Sequence, residues 1–98
     1  MNTINTHKEG KKLKVTVQGH FNLRTKKLIL NRLTPGVNNL TLNLINCDLI
    51  DSEGVIFLHR WLTNGNQLRL TEPPAILFEI LDILQLDESW DFNKILTK

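Results

Sequence analysis

The sequence contains very little cysteine, since Cys47 is the single one among 98 residues and no disulfide can form within the chain. That agrees with a reducing compartment. No apolar run approaches the roughly 18 residues that a membrane-spanning helix needs. The polar opening MNTINTHKEGKK also lacks the apolar region of a signal peptide. We therefore expect a cytoplasmic protein without direct membrane insertion.

The sequence also lacks the residue clusters on which most enzymes and metal sites depend. Its histidines, His7, His20 and His59, are too far apart for a metal-ligand pair, and Cys47 has no cysteine or histidine at ligand spacing. The glycines are scattered singly, so there is no glycine-rich phosphate loop, and no nucleophile-elbow pattern surrounds a serine. These absences predict a protein that is not an enzyme and binds no metal or other cofactor.

Acidic residues are scarce in one part of the chain only. Residues 1–32 hold eight lysines and arginines against the single acid Glu9, whereas residues 33–98 hold four against nine acids. A basic end could meet nucleic acid or an anionic surface. Because Phe21 is the only aromatic residue among these lysines, however, there is no base-stacking platform. A solvated basic surface is the simpler interpretation, and we expect no nucleic-acid partner.

Hydrophobic periodicity indicates strands in segments 13–18, 39–45 and 66–71, where apolar and polar residues alternate. Gly10 suits the turn of a hairpin before the first of them. A parallel sheet covered on both faces would show continuous apolar runs, so the alternation favours helices on one face. We expect a single α/β domain, residues 1–98, with a small mixed sheet of four to five strands and helices packed mainly on one face.

Helices are predicted between these strands. The first begins at Asn22 as N-cap and ends before Pro35, and the others span 52–63 and 75–84. The apolar residues of the first helix, Leu23, Leu28, Leu30 and Leu33, are expected to face the core, and its exposed side is expected to carry Arg24, Lys26, Lys27 and Arg32. The tail is expected to pack on the domain through Trp90, Phe92 and Ile95.

Ser52 opens the second helix, in the segment DSEG. A serine N-cap stabilises a helix by about 1 kcal/mol and needs no further role. Asp51, however, could cap the helix instead and leave the hydroxyl free. Gly54 costs up to about 1 kcal/mol of helix propensity in the first turn, which indicates a close approach to the backbone there. The preceding strand delivers Ser52 to the carboxyl end of the sheet, where open α/β folds place their sites.

The polar side of this helix supplies a second feature. On a helical wheel Ile56 falls in the middle of the polar arc, one turn beyond Ser52, where we expect it to be exposed and to anchor a protein partner. The other members of that arc are Glu53, His59, Arg60 and Thr63.

Residues 40–70 resemble the core of the STAS domains, named for sulphate transporters and anti-sigma-factor antagonists. The family's signature is a strand, a short link, D-S-x-G opening a helix, and a strand after a glycine; here the motif is Asp51, Ser52, Glu53 and Gly54. The resemblance covers nearly the whole chain. VTVQGHFNL lies where the family has a strand and a G-x-L-D turn, and PPAILFEILDILQLDESW resembles its third helix and closing segment.

This resemblance implies a partner-switching protein. In the antagonist branch, the serine matching Ser52 is phosphorylated by an anti-sigma factor that is also a kinase and uses ATP. The unphosphorylated form binds that kinase and frees the sigma factor, and a phosphatase resets the switch. We expect the partner-binding residues to be Asn22, Asp51, Ser52, Glu53, Gly54, Ile56, His59 and Arg60.

The sequence departs from the family pattern at two positions. Asn22 replaces the acid of the G-x-L-D turn, and Glu53 occupies a position that is frequently small, which makes the site more acidic. Other STAS proteins are accessory subunits of lipid-transport ABC systems. A subunit that binds a transporter ATPase is therefore the alternative function.

Overall fold

A computed structural model describes residues 3–97 and shows a mixed α/β fold. Within these residues there are six strands and four α-helices. The strands are β1 (Thr3–Glu9), β2 (Lys12–Phe21), β3 (Asn39–Asn43), β4 (Cys47–Ile50), β5 (Gln67–Thr71) and β6 (Leu96–Thr97). The helices are α1 (Leu23–Leu30), α2 (Ser52–Thr63), α3 (Ile76–Ile83) and α4 (Phe92–Ile95), with a 3₁₀ turn at Asp87–Ser89.

The sheet has the strand order β1-β2-β3-β5-β6 and mixes antiparallel with parallel pairing. β1 and β2 form the predicted antiparallel hairpin, in which Gly10 has a φ of 60°. The other pairs are parallel. β2 is long enough for two partners on one side, because β3 pairs with Lys12–Thr16 and β4 with Gly19–Phe21. The predicted mixed sheet is confirmed, and β4 and β6 raise its strand number above the expected range.

The core lies on one face of the sheet. Alternate residues of the three central strands are buried there: Leu13, Val15, Val17, Leu40, Leu42, Leu68 and Leu70. The register places Lys14, Thr41 and Arg69 side by side on the opposite face, where Lys14 and Arg69 are exposed. The predicted one-sided packing of the helices is therefore confirmed.

The predicted apolar face of α1 is wrong in part. Leu23 and Leu30 are 45% and 46% exposed, whereas Thr25 and Ile29 are completely buried. Thr25 can face the core because its hydroxyl donates to the carbonyl oxygen of His20, which satisfies the polar group in the protein interior. The helix also ends at Leu30, several residues before Pro35. In the tail, Trp90 and Ile95 are buried and Phe92 is half-buried, as predicted.

Candidate functional site

Two helices begin side by side at one edge of the sheet. Phe21, the last residue of β2, pairs with Ile50, the last residue of β4. The backbone N–H of Asp51 donates to the carbonyl oxygen of Phe21 at 3.2 Å, which ties the two strand ends together. Asn22 directly follows β2, and Asp51 directly follows β4. Each of them is the N-cap of the helix that comes next in the chain.

Asp51 caps α2, and Ser52 does not. The Oδ1 atom of Asp51 accepts a hydrogen bond from the N–H of Gly54 at 3.2 Å, so the first turn is closed without the serine. Ser52 is exposed, and its hydroxyl makes no hydrogen bond to any other residue within 3–97. The structure therefore assigns the cap to Asp51 and leaves the Ser52 hydroxyl without a hydrogen bond within residues 3–97.

Asn22 plays the same capping role for α1. Its Oδ1 atom accepts from the N–H of Thr25 at 3.2 Å. A carboxylate oxygen could accept the same bond, so the cap does not explain why an amide stands in this place. The half-buried Asn22 nevertheless lies beside the α2 N-terminus, as expected, since a groove of about 420 Å³ is lined by both Asn22 and Asp51.

Gly54 is buried, and at this residue the first turn of α2 packs closely on the ends of β2 and β4. An alanine Cβ at this position would lie 2.8 Å from Cγ1 of Ile50 and 2.9 Å from both Cδ1 and the carbonyl oxygen of Phe21. The close approach predicted from this glycine is therefore real, but it comes from the chain's own strand ends. The expected contact of this buried glycine with a partner stays a prediction.

The basic and acidic parts of the chain meet at this edge. Nζ of Lys26, on α1, lies 3.7 Å from Oε2 of Glu53, on α2. Arg24 and Lys27 line the groove next to Asp51. The surroundings of Ser52 are thus of mixed charge, although its sequence neighbours are both acids.

The remaining candidates on α2 differ in exposure. Arg60 is exposed, as predicted. Ile56 is half-buried, contrary to expectation. Both α1 and α3 pack against α2, so a smaller part of the surface of α2 is exposed than the helical wheel suggested. His59 is also half-buried, and its Nδ1 accepts from the indole N–H of Trp90 at 3.2 Å, so this side of the ring is directed at the tail.

The described residues provide few other reactive groups. Burial raises the pKa of the Cys47 thiol and keeps it protonated near neutral pH. Within 3–97 no three histidine, cysteine or acidic side chains are grouped as a metal ion would require. None of the helices in that range is long and apolar enough to cross a membrane.

No protein-family model and no curated protein matches the sequence. Fifteen chains of solved structures do match the fold. SpoIIAA, an anti-sigma factor antagonist solved in its unphosphorylated form, superposes with a TM-score of 0.65 over 98% of this chain and 88% of its own. The chain has the STAS fold. The STAS resemblance inferred from residues 40–70 and from the order of the elements is thereby confirmed for the architecture.

Sequence identity to these structures is low. It is 12% for SpoIIAA and 23% for a second structure, Mglu, which aligns with 72% of this chain at a TM-score of 0.53. The alignment with Mglu spans only 19% of that protein. Structural similarity with so little sequence identity establishes the fold of the chain. Its role has to be argued from the residues around Ser52.

Proposed function

We propose that this chain is a cytoplasmic partner-switching regulator of the anti-sigma-factor antagonist type. It binds a cognate anti-sigma-factor kinase, and phosphorylation of Ser52 controls that binding. The free hydroxyl of Ser52 is the observation that carries the proposal, because Asp51 has taken over the capping bond. The likeness to the fold of SpoIIAA, a protein of this type, supports it.

The phosphorylation step requires only an accessible hydroxyl from this chain. Oγ of Ser52 attacks the γ-phosphorus of ATP, the bond from that phosphorus to the bridging oxygen breaks, and ADP leaves. The hydroxyl proton passes to a base of the kinase. A phosphatase reverses the change by hydrolysis to serine and inorganic phosphate.

Phosphorylation alters the surface more than the fold. The phosphate adds about −1.5 to −2 charge at neutral pH, and the partial positive charge of a helix N-terminus tolerates it. A partner that contacts Asp51, Ser52 and Glu53 in the unphosphorylated form then meets a large excess of negative charge. Desolvation and repulsion weaken the complex. Asn22, Ile56, His59 and Arg60 complete the proposed contact surface around these residues.

The first test is the mass of the protein purified from its own cells. We expect a fraction that carries one phosphoryl group, mapped to Ser52 by fragmentation of the peptide. The chain has one other serine, the exposed Ser89, which provides a matched control. Ser52→Ala should abolish the modified fraction and Ser89→Ala should not. Consistent absence of phosphate in growing and stationary cells, with phosphatases inhibited, would contradict the proposal.

One observation favours the transporter-associated alternative. α3 and its C-cap expose three large apolar side chains, Phe78, Ile83 and Leu84, and Ile83 is 76% exposed. A permanent subunit contact with an ATPase would make use of such a surface. In that case Ile83→Lys should separate the chain from the ATPase complex, whereas Ser52→Asp should leave it bound. A switch predicts the opposite result for the kinase complex.

A further inference from the structure

We propose that Lys26 is the counter-ion of phosphorylated Ser52: its ammonium group pairs with Glu53 in the unmodified protein and moves to the phosphate once Ser52 is modified. The inference rests on the proposed phosphorylation of Ser52. It adds a residue outside the DSEG segment that determines what the modification does to the surface.

The position of Lys26 is set by helix packing. α1 and α2 are in contact, and the Lys26 side chain is only 22% exposed, so its aliphatic part is largely covered while the ammonium group reaches the first turn of α2. There it lies 3.7 Å from the Glu53 carboxylate. Ser52 is the preceding residue, with its Cα about 3.8 Å from that of Glu53. A phosphate on Ser52 therefore belongs to the same first turn of α2 as the carboxylate that the ammonium group already contacts.

The phosphate is the stronger partner of the two. Coulomb attraction grows with the charge of the anion, and the phosphate carries about twice the charge of a carboxylate, on three acceptor oxygens. Glu53 is half-exposed, so water already stabilises its carboxylate and its pairing with Lys26 is weak. We therefore expect the ammonium group to favour the phosphate.

This exchange enlarges the effect of one modification. In the unmodified protein Lys26 partly neutralises Glu53. After the exchange Glu53 has lost its counter-ion, so the surface presents an unpaired carboxylate as well as the partly neutralised phosphate. A partner that tolerated Glu53 before modification now meets two new repulsive groups.

The test measures the ionisation of the phosphate without any kinase. Phosphoserine is installed at position 52 during translation, and the second ionisation is followed by ³¹P NMR at low salt. A nearby cation favours the dianion. The midpoint should therefore lie about 0.5 pH unit lower in the otherwise unmodified sequence than in Lys26→Met, a modest shift because the site is partly exposed. Methionine keeps an apolar stem of similar length.

Lys94 is the control. It is exposed, it makes no salt bridge within residues 3–97, and it lines a groove with Leu62, at the opposite end of α2 from Ser52. Lys94→Met should leave the midpoint nearly unchanged. Equal midpoints for the original sequence and Lys26→Met, or equal shifts for both methionine variants, would overturn the proposal.

A double-mutant cycle tests the exchange itself. Glu53→Gln removes a negative neighbour of the phosphate, so it lowers the midpoint of the second ionisation whether or not Lys26 is present. When Lys26 is present, the substitution also frees its ammonium group from Glu53. The decrease should therefore be larger with Lys26 present than in Lys26→Met, and equal decreases would contradict the exchange. Failure to find phosphate in the native cells would count against the proposed function and would not alter these measurements.

Discussion

Replacing Gly54 with alanine should destabilise the protein, although alanine is the better helix former. The new Cβ would lie 2.8–2.9 Å from Ile50 and Phe21, closer than carbon atoms pack. Both side chains are fully buried, and the Phe21 carbonyl oxygen is held in place by its hydrogen bond from Asp51. Neither strand end can move without disturbing the start of α2.

The magnitude follows from two opposing effects. Alanine gains up to about 1 kcal/mol of helix propensity over glycine, and overpacking of a well-filled core costs about 1–3 kcal/mol. Because one of the three contacts is to backbone, the cost should lie at the upper end. We expect Gly54→Ala to lower the free energy of unfolding by about 1–2 kcal/mol, which corresponds to a Tm roughly 4–16 °C lower for a domain of this size.

Urea denaturation followed by circular dichroism measures this difference. Gly36 is the matched control, because a Cβ there meets nothing within 4 Å and its backbone is not in the left-handed region. Gly36→Ala should be neutral or stabilise the fold by up to about 1 kcal/mol. If Gly54→Ala proves as stable as the original protein, the close packing of α2 on the strand ends is wrong, and so is the account of how Ser52 is positioned.

Three further predictions concern single contacts. Asp51→Ala should lower the free energy of unfolding by about 1 kcal/mol because the cap is lost, whereas Ser52→Ala should leave it nearly unchanged. Similar losses for the two variants in urea denaturation would contradict the assignment of the cap to Asp51. His59→Leu should lower the free energy of unfolding by about 1–3 kcal/mol because it leaves the buried indole N–H of Trp90 unpaired. Phenylalanine has no such N–H, so His59→Leu should destabilise a Trp90→Phe protein less than it destabilises the original one. The raised pKa of Cys47 predicts slow alkylation by iodoacetamide at pH 8 in the folded protein and rapid alkylation in urea; equal rates would refute the burial of the thiol.

The sequence predicted long regular elements well. The segment around Leu40 and Leu42 alternates in the sequence and is a half-buried strand in the structure, and α2 spans the residues predicted for it. In these elements the hydrophobic periodicity arises directly from burial, so it can be read without knowledge of the neighbours.

β4 could not be found in this way. Cys47 and Ile50 are buried while Asp48 and Leu49 between them are exposed, so the strand has no period of two. It exists because the far end of β2 has an open edge, and that is a property of the assembled sheet. β4 also places Asp51 beside Phe21. The sequence predicted Asp51 as a possible cap and a close approach at Gly54, but it did not predict this contact between the two strand ends.

The orientation of α1 was missed for a related reason. Counting leucines favours Leu23 and Leu30 as core residues, but the buried positions belong to Thr25 and Ile29. A threonine can be buried at this position only when its hydroxyl has a specific acceptor, here the carbonyl oxygen of His20. Tertiary hydrogen bonding of this kind leaves no periodic signal. The pairing of Lys26 with Glu53 depends on the resulting helix orientation and was likewise not predictable.

The capping of α2 by Asp51 leaves the Ser52 side chain out of the hydrogen bonds that hold the start of the helix. In the switch that we propose, a kinase or a phosphatase would therefore bind this side chain without opening the first turn of α2. The stability of the helix start then depends on Asp51, and recognition depends on its neighbour Ser52, so that either property can change by substitution without the other.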